Sequence, residues 1–519
     1  MSRKQPNIVF IMADQLAAAF LGAYGSGVDS SPALDRLARR GMRFTRAYAH
    51  VPLCGPNRAT ILTGRSSGVH GVTHNNLMLR SDTPTYATVF RHHGYHTGGF
   101  GKFHITPLSD PPPSDLSYLG FDECTVTEDT KLGPWLDWIR TEHPDQYETA
   151  LAVSWNMPYL REYGEKKEDL YPDWQRVRDK ILKPLEEQSE WRIFYPSPLP
   201  KELHQTTYIT DQGIGFIERH MQEHPDRPFL CNISYVDPHD PYDPPAPYDT
   251  MFDPQNMPDP LPGNWQKDGC KILDRTVDFL GFRKIADNPA AIRKMRALYH
   301  GSIRFMDDQI DRLLRFLDEK GLADNTLVVF TTDHGDLMGD HGLITKGEKH
   351  YDKSIRCPLI VAGPGVESGV SERLVSSLDI FPSFCGLAGL NPTIPLEGKS
   401  SAPDCRGEPN DALWDAVTVQ FNENETRGDY VASVVTDDGW RLTIFNEPGK
   451  GEMFNLFDDP DEQNNLFYTP ECIEKKCELY HRYARAYMRS DGIQQYRNLP
   501  EVNGQKCEVD VFRTKPVGF

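Results

Sequence analysis

The chain has 519 residues, a formal net charge of −19 and a hydrophobic fraction of 38%, with 41 prolines and 40 glycines. This length predicts one large and one smaller domain, and the composition is typical of a loop-rich globular enzyme, which excludes a disordered or fibrous chain. The acidic charge argues against nucleic acid and anionic membranes as partners, and no apolar run approaches the roughly 20 residues that span a bilayer.

The cellular compartment is predicted from the first residues and the cysteines. The N-terminal sequence MSRKQPNIVFIM has a basic start, but its short apolar run leads directly into Ala13-Asp14-Gln15. It therefore resembles a strand more than a secretory signal with a cleavage site. The 10 cysteines are scattered without zinc-finger spacing. We expect reduced thiols and a cytoplasmic protein.

The first predicted strand is Asn7–Met12, a continuous apolar run of the kind that is buried on both faces of a sheet. Asp14 and Gln15 follow at its carboxyl end, where open α/β sheets bind their ligands. The alternative interpretation of Asp14 is a helix or turn cap. A helix is predicted over Ser31–Gly41, with Pro32 near its start.

The segment Val51–Arg65 contains the run Cys54-Gly55-Pro56-Asn57-Arg58. Pro56 fits the first position of a helix, so Cys54 is expected at or just before a helix N-terminus. Free N–H groups and the helix dipole attract an anion there and lower the pKa of a thiol. Arg58 can direct a forked donor to the same point. The spacing predicts a nucleophile in an oxyanion pocket; the alternative is a buried structural cysteine followed by a surface arginine.

Two further basic residues, Lys102 and His104, lie downstream of a helical pattern at Tyr86–His93. The glycine-rich run after it leads to Lys102 and His104. We predict a strand that extends through both residues, whose side chains then project to the same side because the side-chain period is two. Residues 108–203 carry no repeat and no motif, and we interpret them as an insertion that shapes a substrate pocket.

Two more buried strands end in polar residues. Pro228–Val236 leads to Asp237-Pro238-His239-Asp240-Pro241-Tyr242, and Thr326–Phe330 leads through two threonines to Asp333 and His334. A long helix is predicted over Pro289–Lys320. Together with Asp14 and Gln15, the second strand end supplies two carboxylates, one amide and one imidazole. The sequence therefore predicts a divalent-metal site at adjacent strand ends.

These motifs, in this order, resemble the sulfatase family. Cys54-x-Pro56-x-Arg58 followed by Leu62-Thr63-Gly64-Arg65 is similar to the sulfatase signature. Further similar motifs lie downstream: Gly101-Lys102-x-His104, Pro238-His239-x-Pro241, Asp333-His334, Lys346 and Asp459-Pro460-x-Glu462-x-x-Asn465-Leu466. The Asp-His pair resembles the branch with choline sulfatase, N-sulfoglucosamine sulfatase and phosphonate monoester hydrolases. Gln15 departs from the acidic pair of the family.

The resemblance implies an α/β fold, the alkaline-phosphatase-like sandwich. Its large mixed, mostly parallel central sheet is flanked by helices, and a smaller C-terminal α+β domain carries an antiparallel sheet. We expect a catalytic domain over residues 1–400 with the 108–203 insertion, a C-terminal subdomain over 401–488 and a tail over 489–519. By analogy the tail contacts another subunit, so a homo-oligomer is expected.

The resemblance further implies hydrolysis of a small sulfate ester through a formylglycine, which a maturation enzyme makes from Cys54. One divalent metal would be bound by Asp14, Gln15, Asp333, His334 and the modified Cys54. Family analogy favours Ca²⁺, while the nitrogen ligand leaves Mn²⁺ and Mg²⁺ open.

The remaining site residues are also carried over from the family. The implied roles are Arg58 orienting the nucleophile, Asn75, Lys102 and Lys346 binding the sulfate, His239 protonating the leaving alcohol, and His104 taking the proton that releases sulfate.

Three alternatives remain at this point. A phosphonate monoester or phosphodiester hydrolase on the same scaffold shares the Asp-Gln and Asp-His pairs, but such enzymes lack a pair corresponding to Lys102 and His104. The second alternative is a protein that binds an anion in the same pocket and in which Cys54 is never converted to formylglycine. A zinc phosphotransferase would need a hydroxyl nucleophile and more His and Asp ligands.

Overall fold

The computed structural model describes residues 5–278, 282–392, 394–410, 414–424 and 429–494. The predicted tail therefore lies outside the described residues from position 495 onward. The strands are β1 (Asn7–Ala13), β2 (Met42–Tyr48), β3 (His96–Gly101), β4 (Glu123–Val126), β5 (Phe229–Ser234), β6 (Thr326–Thr332), β7 (Arg356–Ala362), β8 (Gly369–Ser376), β9 (Ala416–Asn424), β10 (Asp429–Thr436), β11 (Trp440–Phe445) and β12 (Gly451–Asn455).

Helices connect these strands. They are α1 (Pro32–Arg40), α2 (Cys54–Thr63), α3 (Ser67–His70), α4 (Tyr86–His92), α5 (Pro134–Glu142), α6 (Tyr147–Val153), α7 (Tyr171–Val177), α8 (Lys183–Ser189), α9 (Gln205–Glu223), α10 (Lys271–Asp278), α11 (Phe282–Ala286), α12 (Pro289–Glu319), α13 (Asp352–Ile355), α14 (Ile380–Ala388), α15 (Ala402–Cys405) and α16 (Ile473–Gln494). One π-helical turn, Arg178–Leu182, joins α7 to α8. None of the helices within the described ranges is both long and apolar enough to cross a membrane.

Eight strands form the central sheet, in the order β4-β3-β5-β1-β6-β7-β2-β8. Neighbouring strands pair in parallel except that β7 runs antiparallel to both β6 and β2. β1 lies between β5 and β6 with all seven of its residues buried. The predicted mixed, mostly parallel sheet is confirmed.

Both faces of the sheet are covered because side chains alternate along each strand. Val9 and Ile11 of β1 belong to the hydrophobic core under α9 and α12, whereas Ile8 and Phe10 belong to the core under α4 and α14. This two-sided burial explains why β1 is a continuous apolar run. It also leaves the carboxyl ends of the strands as the place where polar side chains can gather.

Two local predictions are wrong. Helix α2 begins at Cys54 itself, so Pro56 is its third residue; its missing N–H is still harmless because the first four N–H groups have no partner within the helix. Strand β3 ends at Gly101, before Lys102, and His104 has a φ of +47°. The side-chain period of a strand therefore does not explain why Lys102 and His104 face one site.

The predicted insertion has two parts. β4, near its start, pairs in parallel with β3 and is the edge strand of the central sheet. The helices α5 to α8 that follow pack around a separate hydrophobic cluster, which includes Trp135, Leu160 and Val177. Only this second part has a hydrophobic cluster separate from those of the central sheet.

The C-terminal part contains the predicted antiparallel sheet, in the order β12-β11-β10-β9. Leu479 of α16 packs in the same cluster as Val434 and Leu442 of this sheet. A buried arginine, Arg441, pairs with Glu452 and Glu462 and ties the sheet together. The boundaries drawn between the domains stay a prediction.

Candidate active site

The strand order brings four sequence motifs to one edge of the sheet. The neighbours β3, β5, β1 and β6 end in that order, and each is followed by one motif. Lys102 follows β3, His239 comes five residues after β5, Asp14 follows β1 and Asp333 follows β6. Because all four strands are parallel, these side chains meet above the carboxyl ends.

Cys54 lies at the centre of this edge and is 1% exposed. Its Sγ is 3.2 Å from His334 Nε2 and 3.7 Å from Asp14 Oδ1. One ligand atom from each of Cys54, Asp14, Asp333 and His334 lies within 4.8 Å of the others. A single cation could therefore contact all four.

The N-terminus of α2 is held in place by the side-chain amide of the half-buried Asn75. Asn75 Oδ1 accepts a hydrogen bond from the N–H of Gly55, 2.9 Å away. A Cβ on Gly55 would lie 3.2 Å from the same oxygen, so the glycine permits the close approach. Asn75 thus lies beside Cys54, although in this structure it binds the helix and not an anion.

Arg58 is buried one turn after Cys54. Its Nε donates to Asp333 Oδ2 at 2.8 Å, and its Nη2 lies 3.2 Å from Asp14 Oδ2. Its Nη1 donates to the Lys102 carbonyl at 2.7 Å and to Ser234 Oγ at 2.8 Å. Arg58 therefore links the ends of β1, β3, β5 and β6. It positions the side chains that follow these strands and also adds a positive charge beside Cys54.

Two acidic residues that the motifs did not identify support Lys102 and His104. Lys102 Nζ forms an ion pair with Asp14 and another, at 2.5 Å, with Asp129 Oδ1. Glu128 Oε1 accepts the N–H of His104 at 2.9 Å. The loop after β4 therefore fixes this segment, together with the hydrogen bond that the Lys102 N–H donates to the Ser234 carbonyl of β5 at 2.9 Å.

Lys346 and His239 form the opposite wall. Lys346 Nζ lies 2.6 Å from His239 Nε2 and also contacts Gln15 Oε1. The amide nitrogen of Gln15 donates to Asp336 Oδ2 at 2.5 Å and to Asp240 Oδ1 at 3.2 Å. Gln15 thus contacts Lys346 through its oxygen, and its role as a metal ligand stays a prediction.

The ionisable side chains around Cys54 lie close together and shift one another's pKa values. Burial alone would raise the pKa of the Cys54 thiol, but the positive charges of Lys102, Lys346 and His334 hold it well below its usual value. Burial raises the pKa of Asp14, and the charges of Asp333 and Cys54 raise it further. Carboxylates packed this closely favour a cation between them.

The donor set fits one divalent cation. Carboxylate oxygens suit hard cations such as Ca²⁺ and Mg²⁺, and the His334 nitrogen also suits Mn²⁺. All four donors are buried, and Asp14 and Asp333 are oriented by Arg58. The group can therefore hold a metal with its ligands already in place.

The sequence analysis missed several residues of this site. Asp336, two residues after His334, carried a signal because it continues the same motif; it accepts hydrogen bonds from Gln15 and Tyr242. Glu128 and Asp129 carried none, since they follow a short strand in a stretch without motifs. Only the pairing of β4 with β3 brings them to the site.

Comparisons with known proteins agree with this geometry. The family model described as Sulfatase matches residues 6–390, and that described as N-sulphoglucosamine sulphohydrolase, C-terminal, matches residues 339–487. The chain is 30% identical over 478 residues to an arylsulfatase of Clostridium perfringens, covering 91% of this chain and 92% of that protein. It is 26% identical to a choline-sulfatase of Rhizobium meliloti, covering 91% and 84%.

Solved structures agree on the fold. The phosphonate monoester hydrolase of Agrobacterium radiobacter superposes with a TM-score of 0.74 at 24% identity, over 93% of this chain and 96% of that one. This likeness concerns the fold alone. Since the family model spans β1 to α14 and contains every motif around Cys54, the chain belongs to the sulfatase family.

Proposed function

We propose that this protein hydrolyses sulfate esters through a formylglycine made from Cys54. The observation that carries the proposal is the position of Cys54: it starts α2 and lies 3.2 Å from His334, within reach of Asp14 and Asp333. The arylsulfatase and choline-sulfatase relatives support sulfate as the transferred group. The reaction is cleavage of the ester with water, giving an alcohol and inorganic sulfate.

A divalent metal, Ca²⁺ by family analogy, would be held by Asp14, Asp333, His334 and the modified Cys54. When bound it supplies Lewis-acid stabilisation of negative charge at the nucleophile and at the sulfate. The protein's own contribution is to keep the carboxylates fixed: Arg58 contacts both Asp14 and Asp333 with separate nitrogens. A fixed arrangement avoids reorganisation during the reaction.

The sulfate would bind between the two lysines. Lys102 is buried just after β3 and pairs with Asp14, whereas Lys346 is partly buried in the loop between β6 and β7 and contacts Gln15. Sulfate oxygens are weak bases, so positive charge placed around them stabilises the transition state more than proton donation does. Asn75, which now binds the N–H of Gly55, is close enough to α2 to contribute an amide donor.

Two histidines would move protons. His239 Nδ1 lies 2.6 Å from the Asp240 carbonyl, which leaves Nε2 directed at Lys346 and toward the leaving alcohol. We assign His239 as the acid that protonates this alcohol. His104, whose two ring nitrogens are buried and have no hydrogen-bond partner among the described residues, would take the proton whose removal expels sulfate from the covalent intermediate.

The experiment that tests the proposal examines the nucleophile directly. Mass analysis of the native peptide containing Cys54 should find the lighter aldehyde in place of the thiol. Cys54→Ala should abolish release of sulfate, and Cys54→Ser should leave at most a trace because a plain hydroxyl cannot collapse to an aldehyde. Cys385→Ala, a buried cysteine of α14, is the matched control. Hydrolysis by the Cys54→Ala variant at wild-type rate would refute the proposal.

A second candidate function is hydrolysis of phosphonate monoesters or phosphodiesters. The observation in its favour is the fold of the phosphonate monoester hydrolase from Silicibacter pomeroyi, with a TM-score of 0.74 at 25% identity. The Lys102-x-His104 pair favours a sulfate ester as substrate, because the phosphonate hydrolases lack this pair. We therefore expect a higher kcat/KM for an aryl sulfate than for the matching phosphonate.

The cytoplasmic location and the homo-oligomer remain predictions. The nine cysteines of the described ranges are all free thiols, which supports a reducing compartment. Light scattering coupled to size exclusion would report the oligomeric state, and fractionation of the native host would report the location. Peptide mass analysis also decides between an active sulfatase and an unmatured binding protein.

A further inference from the structure

Three histidines form a cluster at the amino ends of the central strands, on the edge of the sheet opposite Cys54. His96 is the first residue of β3, His220 lies in the last turn of α9 and His224 directly follows that helix. The ring centroid of His96 is 5.2 Å from that of His220 and 4.5 Å from that of His224. We call these residues the three-histidine cluster. None of them belongs to the motifs around Cys54.

The outer nitrogens of two of these rings face hydrogen-bond acceptors. His220 Nε2 lies 3.1 Å from the Arg227 carbonyl, and because a carbonyl can only accept, this nitrogen carries the proton. His96 Nε2 lies 3.4 Å from Glu123 Oε1, and a carboxylate likewise favours a protonated nitrogen beside it. In the neutral rings, both Nδ1 atoms are therefore left with lone pairs.

The two Nδ1 atoms of His96 and His220 lie only 3.0 Å apart. Two lone pairs at this distance repel each other unless a proton or a metal ion lies between them. The two side chains are almost completely buried, which disfavours an imidazolium. Burial lowers the pKa of His96, and it lowers that of His220 to about 4. A metal ion that prefers neutral imidazole therefore suits this pair better than a proton at neutral pH.

The distance between the two nitrogens suits a zinc ion. Zn–N bonds of about 2.0–2.1 Å in a tetrahedral site place two ligand nitrogens about 3.4 Å apart, so small shifts of the two rings are sufficient. Glu123 is in place to orient the His96 ring, as carboxylates do for histidine ligands of metals. Arg219 Nη2 in turn holds Glu123 at 2.6 Å.

His224 is positioned to supply a third nitrogen. It comes four residues after His220, so the two side chains lie one turn apart at the end of α9. Its ring centroid is 6.1 Å from that of His220, and the residue is half-buried. No hydrogen bond from the described residues fixes its ring. Rotation about its side-chain bonds can turn a nitrogen toward the ion, and water can complete the fourth position.

We infer that the three-histidine cluster binds one zinc ion, through Nδ1 of His96, Nδ1 of His220 and a ring nitrogen of His224. The ion would tie β3 to the end of α9. Because Lys102 follows the other end of β3, this tie stabilises a strand that carries part of the proposed site without touching the reacting groups. The inference does not depend on the proposed function.

Zinc binding is measured by calorimetry on the full chain after treatment with a chelator. Cys54→Ala is the background, in excess Ca²⁺, because it lacks the thiol that would bind zinc at the catalytic edge. Loss of even an outer partner of a metal ligand costs about 10–100-fold in affinity, so adding His224→Ala should weaken binding of one zinc ion by at least about tenfold. His481→Ala, at an exposed histidine of α16, is the matched control and should bind zinc normally.

Thermal unfolding gives a readout besides the affinity itself. Zinc should raise Tm of the background protein and of the His481→Ala form, because a ligand that binds only the folded state stabilises it. It should leave Tm of the His224→Ala form unchanged. Equal zinc binding and equal Tm shifts in all three proteins, or no zinc binding to any of them, would overturn the inference.

Crystals grown with zinc provide the test of position. Anomalous scattering at the zinc edge should place the ion about 2.0–2.1 Å from Nδ1 of both His96 and His220. Glu123→Gln should lower the zinc affinity roughly tenfold and leave the ion in the same place. Zinc found only beside His334, or a hydrogen-bonded His96–His220 pair with no ion between the rings, would overturn the inference.

Discussion

Replacing Asp129 by asparagine tests whether the loop after β4 belongs to the catalytic machinery. Asp129 Oδ1 lies 2.5 Å from Lys102 Nζ, and both side chains are almost completely buried. Burial by itself would raise the pKa of Asp129, but Lys102 and His239 hold it well below its ordinary value, so the carboxylate is ionised at neutral pH. Asp129→Asn therefore removes one of the two negative charges that hold Lys102.

The magnitude follows from the geometry. At an effective dielectric constant of about 20, two charges 2.5 Å apart attract by roughly 7 kcal/mol before desolvation is subtracted. Measured losses on breaking a buried pair are about 3–5 kcal/mol. Since Lys102 keeps its ion pair with Asp14, we expect about half of that, about 2 kcal/mol. In the transition state this corresponds to a fall in kcat/KM of roughly 30-fold.

The assay compares kcat/KM for an aryl sulfate with the free energy of unfolding in denaturant. Asp173→Asn is the matched control, because Asp173 is exposed on α7 and pairs with Arg176 at 3.2 Å. A surface pair of this kind is worth about 0–1 kcal/mol, and activity should not change. Wild-type kcat/KM and stability in the Asp129→Asn enzyme would refute the reasoning and leave Asp14 as the sole anchor of Lys102.

Three further predictions address the metal, the substrate and the leaving group. Asp333→Asn should lose the single bound divalent metal and lower Tm; stoichiometric zinc at two adjacent sites in the native protein would instead favour a phosphotransferase. Lys102→Ala should narrow the preference for an aryl sulfate over the matching phosphonate, and a wild-type preference for the phosphonate would make the second candidate function the correct one. His239→Gln should lower kcat/KM for alkyl sulfates by about 10²–10⁴-fold, and much less for aryl sulfates with acidic phenols; equal losses for both would exclude His239 as the general acid.

Chain motifs alone were sufficient to find the centre of the site. Every residue of β1 and β6 is buried and most are apolar, as expected for strands covered on both faces, and this pattern predicted the end of each strand to within two residues. Asp14 and Asp333 follow within one residue of those ends, so their meeting required only that the strands be parallel neighbours. Cys54 and Arg58 are four residues apart on one helix, a spacing that local geometry translates directly into proximity.

The residues that hold the rest of the site in place could be identified only from the tertiary structure. Lys102 and His104 lie beyond the end of β3, and their position depends on Asp129 and Glu128, which arrive through the pairing of β4 with β3. Likewise, Asp240 shares a cavity with Trp155 and Tyr195 only because the helices after β4 fold back over the loop after β5. A motif records the spacing of residues along the chain, whereas these contacts join segments whose separation in sequence carries no periodic signal. The proposed nucleophile and metal ligands could therefore be predicted from the sequence, whereas the residues that hold and surround them depend on the packing of the sheet and its insertion.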